Sequence, residues 1–184
     1  MSKTVKKSTA KKRKLSPEMI TAISAVFIGI CAIGISLYET SLIRQAQKGS
    51  VWPALGGGYS YNEDGFSYLL ENAGVGPAII EYIILTVDGE PLETWDQYFD
   101  KLGIRVSNFL VTQASGRIVS PQSRLDILFI PPQENIDLIA TEQSRVDVEI
   151  CYCSVYEDCW VVTMKERAKE IQSCSADGRV QFKQ

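Results

Sequence analysis

Residues 146–164 read VDVEICYCSVYEDCWVVTM, and they mark this part of the chain as β structure. Val146 to Val155 and Trp160 to Met164 are two runs rich in β-branched and aromatic residues, read as the arms of a hairpin. Cys151 and Cys153 are two apart and share one face of the first arm. If Ser154 to Asp158 form the loop, Cys153 lies opposite Cys159. A residue at the far end of the returning segment, Cys174, is then within reach of Cys151.

Working outward, the same kind of short run recurs between turn signals. Gly65 to Leu70 reads as a strand, Asn72 to Pro77 as a turn cluster, and Ala78 to Val87 as an Ile-rich strand ended by Asp88-Gly89. Thr94 and Gln97 make a capping box that opens a helix from Trp95 to Leu102, stopped at Gly103. Ile104 to Thr112, Arg117 to Ser120 and Arg124 to Ile130 follow as strands, the last terminated by Pro131-Pro132. Glu134 to Glu142 reads as a short helix and Val180 to Phe182 as a final edge strand. Gly56-Gly57-Gly58 lacks the Lys-Ser/Thr continuation of a phosphate loop and reads as a hinge. The expectation is a mainly β domain over residues 51–184, a sandwich with one or two short helices.

Leu70-Glu71-Asn72-Ala73-Gly74-Val75-Gly76-Pro77-Ala78, followed by an apolar strand and Val87-Asp88-Gly89, resembles the N-x-G-x-G-P-A segment of many uncharacterised bacterial single-pass membrane proteins. The Val51-Trp52-Pro53 lead-in and the Cys-Tyr-Cys-Ser hairpin are similar to that group too. The resemblance implies an immunoglobulin-like extracytoplasmic domain. Its motifs are structural and bring no catalytic residue with them.

Four cysteines, Cys151, Cys153, Cys159 and Cys174, allow three connectivities. The hairpin register favours Cys153–Cys159 with Cys151–Cys174. Four thiolates holding zinc would want paired C-x-x-C knuckles, which are missing. A redox-active Cys151-Tyr152-Cys153 pair has no helix N-terminus or cation beside it to lower a thiol pKa. Cys31 reads as an inert apolar residue within a membrane helix.

Met19 to Tyr38 is a run of 20 residues without a charge. At about 1.5 Å per residue it matches the hydrocarbon core of a bilayer. Ser16, Pro17 and Glu18 suit its N-cap, first position and first turn. A signal peptide would be shorter and carry a small-x-small exit, and Ile30 before Cys31 is wrong for a lipoprotein signal. Glu39 to Lys48 extends the helix and Gly49 ends it, making residues 39–50 an extension and linker. Trp52 beyond it reads as an interface anchor or a core residue. Ala22, Ala25, Gly29, Ala32 and Ser36 fall on one helix face, where a partner helix or a second copy could approach closely.

Residues 1–18 carry Lys3, Lys6, Lys7, Lys11, Lys12, Arg13 and Lys14 against Glu18 alone, whereas the whole chain of 184 residues has a net charge of −3. A basic tail on an acidic body places the N-terminus in the cytoplasm of an inner membrane and the domain in the periplasm. The same tail is attracted to the lipid bilayer. No aromatic residue is interleaved with its lysines, so nucleic-acid binding is not expected. The chain has no histidine, which removes Ser-His-Asp and Cys-His nucleophiles, His-liganded metals and the usual general base near neutral pH. Asp96 and Asp100 share a helix face but read as solvated surface. The expected function is a non-enzymatic, membrane-tethered interaction module without cofactor or metal, an accessory subunit of an envelope complex. The alternatives are an extracytoplasmic thiol-redox enzyme and a small-ligand sensor.

Overall fold

The computed structural model describes residues 16–132 and 136–183. The basic tail through residue 15 and the start of the helix expected at Glu134 lie outside the described residues. Two compact units are found, Met1–Ala46 and Gln47–Gln184.

Helix α1, Pro17–Ser50, spans 34 residues and buries none of them within the chain. It is long and apolar enough to cross a membrane. At about 1.5 Å per residue its length is about 51 Å, well above a hydrocarbon core of about 30 Å. The Met19 N–H faces Ser16 Oγ at 3.4 Å, consistent with the cap. Gly49 does not interrupt the helix; the break falls after Ser50. Ala22, Ala25, Gly29, Ala32 and Ser36 are all exposed on α1, as is Cys31.

The second unit is mainly β, with two sheets in a sandwich-like arrangement. Its elements are β1 (Leu55–Asn62), β2 (Gly65–Asn72), β3 (Ala78–Val87), β4 (Glu90–Leu92), α2 (Trp95–Leu102), β5 (Leu110–Val111), β6 (Ile118–Val119), β7 (Ser123–Ile130), α3 (Ile136–Thr141), a 3-10 turn (Glu142–Arg145), β8 (Val146–Cys153), β9 (Cys159–Thr163) and β10 (Lys169–Ile171). One sheet runs β1-β2-β7-β5. The other runs β10-β9-β8-β3-β4, with β6 pairing β3. Phe66, Tyr68, Leu70, Leu128 and Ile130 from the first meet Ile80, Ile83, Leu85, Val148, Ile150 and Tyr152 from the second in the core. A register shift between Ile80 and Tyr82 resets the alternation of β3. Ala78 and Ile80 point inward before it; Ile83, Leu85 and Val87 do so after it. Tyr82 and Ile84 thereby face the other way, where they pack with Cys151 beneath Ile171, Cys174 and Ala176.

Helix α2 is bounded as its residues require. Gln97 N–H lies 3.4 Å from Thr94 Oγ1, and Gly103 takes the left-handed conformation at φ 69°. Two expected strands are corrected. Of Ile104 to Thr112 only Leu110–Val111 pairs, because the Ile104 N–H is taken by Phe99 O at the end of α2. Val180 to Phe182 joins no ladder. Phe182 instead turns its ring onto Trp95, with centroids 4.7 Å apart, and holds Ile83 O by a single backbone hydrogen bond. The triple glycine is no hinge; it forms the first half of β1.

The turn after β2 locks the lead-in to the sheet. Asn72 is fully buried and uses its whole amide. Its Oδ1 accepts from the N–H groups of Ala54 and Gly74 at 3.1 and 3.0 Å, and its Nδ2 donates to the carbonyls of Gly76 and Val119 at 2.8 and 3.1 Å. Trp52 O accepts from Val75 and Gly76 N–H groups. The N-x-G-x-G-P motif is therefore a structural clamp between residues 51–54 and the sheet.

Candidate functional site

The second unit carries two features: a cluster of four sulfurs and a cleft lined by part of β1. Cys153 and Cys159 are partners in the β8–β9 register and are disulfide-bonded. Cys151 is bonded to Cys174, 23 residues away, and holds the C-terminal segment over the outer face of its sheet. By loop-closure entropy alone the larger loop contributes about 3.5 kcal/mol and the smaller about 2.4 kcal/mol. Cys153 Sγ lies 3.6 Å from Cys174 Sγ, so the two bridges touch. The sulfurs of Cys153, Cys159 and Cys174 lie within 4.8 Å of one another, but bridged sulfurs offer no thiolate to a metal. Cys151 and Cys153 are not bonded to each other.

The cleft, about 760 Å³, is lined by Gly56, Gly57 and Gly58 of β1. Leu55, Tyr152 and Val162 supply its apolar depth. Met164 to Ala168, the connection between β9 and β10, forms one wall, and Leu69 with Glu71 from β2 lies on the other side. Trp52 stands at the rim, half-exposed, which overturns its reading as a core residue. Tyr152 is buried, and its hydroxyl accepts from the Leu55 N–H at 3.3 Å. Burial raises its phenol pKa, keeping it neutral.

The charged lining residues, Glu71, Lys165, Glu166 and Arg167, are all exposed. Lys169 lies 2.5 Å from Glu166, and that hydrogen bond lowers the Glu166 carboxyl pKa. Lys165 and Arg167 have no ion pair among the described residues. Thr163 Oγ1 is occupied by the N–H groups of Lys165 and Glu166. The lining thus combines apolar residues, a glycine-rich stretch of β1 and exposed charged residues.

A second polar cluster, invisible in the sequence, is internal. Tyr68 and Tyr98 hydroxyls lie 2.9 Å apart, and Tyr68 donates to Gln143 Oε1 at 2.6 Å. Gln143 Nε2 donates to Ile139 O at 2.8 Å. Burial pushes both phenols up, most of all Tyr68, so the trio ties β2, α2 and the 3-10 turn together as neutral groups. Asp96 and Asp100 are exposed on the outer side of α2, away from either feature.

Comparison with protein-family models finds no match, and none of the curated proteins matches the chain significantly.

Proposed function

We propose that this chain is a membrane-tethered interaction module: an immunoglobulin-like domain held in the periplasm by a single N-terminal anchor in the inner membrane, serving as an accessory subunit of an envelope complex. The observation that carries the reading is the cleft, lined by apolar and exposed charged residues, on a domain attached to a helix long enough to span a bilayer. Two disulfides fit an oxidising compartment outside the cytoplasm. The exposed face of Ala22, Ala25, Gly29, Ala32 and Ser36 gives a neighbouring helix close access in the membrane. Positive charge ahead of α1 supports an N-terminus in the cytoplasm.

Purification of the full chain in a mild detergent, with mass spectrometry of what accompanies it, tests the proposal. A defined set of membrane proteins in constant ratio is expected. Recovery of the chain alone, at monomer mass, would overturn it.

A further inference from the structure

The register of β1 shows which of its backbone groups are used. A two-residue turn, Glu63-Asp64, joins β1 to β2, so Asn62 and Gly65 are a hydrogen-bonded pair. Alternation from that point commits Ser60, Gly58 and Gly56 to β2. It turns the N–H and C=O groups of Leu55, Gly57, Tyr59 and Tyr61 outward. The bond from Leu55 N–H to the Tyr152 hydroxyl agrees with this phase. β1 ends its sheet, and the outward groups of Gly57 and Tyr59 have no backbone partner among the described residues.

Three successive glycines weaken a strand, and the fold does not require them. An added Cβ at Gly56 or Gly58 would meet nothing within 4 Å, and at Gly57 it would make ordinary contacts with Ile150 and Leu70 at 3.5 and 3.7 Å. None of the three has a positive φ. Glycine here does one thing that a larger residue would not: it leaves the backbone open to close approach by another chain.

We propose that the outer edge of β1 is a strand-addition site, taking an extended peptide segment of a partner protein into the cleft. The proposal rests on the reading of the domain as an interaction module and names the kind of partner it binds. Met164 to Ala168 line the same cleft as Gly56 to Gly58, so an extended segment bound there would meet both. A second copy would bring the sheet behind its own edge strand against Met164 to Ala168. Lys165 and Arg167 have no ion pair among the described residues and would favour a carboxylate on the side of the occupant facing them, whereas Glu71 lines the cleft from β2. The segment is therefore extended, apolar at alternate positions, and acidic on the side facing these cations.

The test uses the full chain in lipid nanodiscs and a phage-displayed library of random linear peptides. Enriched peptides should alternate apolar residues and carry an Asp or Glu. Binding of the best one should fall at least tenfold when its pairing amides are N-methylated, and at least tenfold against the exposed-residue variant Lys165→Glu/Arg167→Glu. No enrichment over empty nanodiscs, or equal binding of the N-methylated peptide and by the charge variant, would overturn the site. Detergent purification of that variant separates the two levels of the reading. Companions retained equally by wild type and variant would sink strand addition while leaving the interaction module intact. Companions absent from both would sink the module itself.

Discussion

At Gly76 an added Cβ would lie 1.7 Å from the carbonyl oxygen of Val51, and at Gly74 it would lie 2.4 Å from the amide nitrogen of Ala54. At Gly56 and Gly58, a few residues along the same lead-in, it would meet open space. The first pair sits where two backbones cross under the buried amide of Asn72. The second pair sits on the edge strand beside the cleft. One residue type therefore answers two different demands. In the turn the crowding comes from the chain itself, and the fold explains the glycine. On the strand nothing in the fold crowds the position, and that open space is what the strand-addition proposal builds on.

The sharpest way to break this contrast is to add a methyl group on the crowded side. Gly76→Ala is expected to lower unfolding free energy by about 3 kcal/mol or more, because backbone rather than a mobile side chain must yield. Urea unfolding of the full chain followed by tryptophan emission measures it. A loss under about 1 kcal/mol would mean that the turn relaxes easily and the contrast is shallow. Gly103→Ala probes a third kind of glycine, with space around it but φ at 69°. A loss of about 1 kcal/mol by the same measurement is expected, from the left-handed backbone alone. The smallest effect should have the opposite sign. Gly56→Val with Gly58→Val should raise stability by about 1 kcal/mol, since valine suits an extended edge and has room. A destabilised double variant would show that these glycines serve the fold after all.

What could be read from the sequence was what local chemistry marks. Thr94, Gln97 and Gly103 bound α2 because caps and left-handed stops are made within a few residues. Ala78 to Val87 was legible as a strand from its isoleucines, and the Cys153–Cys159 pair from the loop between them. β1 was not legible, because Gly56 to Gly58 carry no side chain from which a strand pattern could be seen. Lys169-Glu170-Ile171 is too polar to announce itself, and pairs only because β9 offers a free side. Phe182 misled for the reverse reason: its apolar character serves the ring of Trp95 rather than a ladder. The cleft could not be anticipated, since its sides come from segments more than ninety residues apart, such as Gly57 and Lys165. The four-part grip of Asn72 was equally hidden; only its flanking glycines hinted at a tight crossing.

Among the three tryptophans of the chain, Trp95 is 5% exposed at the heart of an aromatic cluster, while Trp52 is 50% exposed at the cleft rim. Trp160 stacks on Tyr152 with ring centroids 5.7 Å apart. The domain thus carries its own optical gauges. An occupant that covers Trp52 shifts emission towards the blue and shields it from acrylamide or iodide, whereas loss of structure shifts Trp95 towards the red. Occupancy and unfolding write opposite signals in one spectrum, so a titration can be followed without attaching a dye.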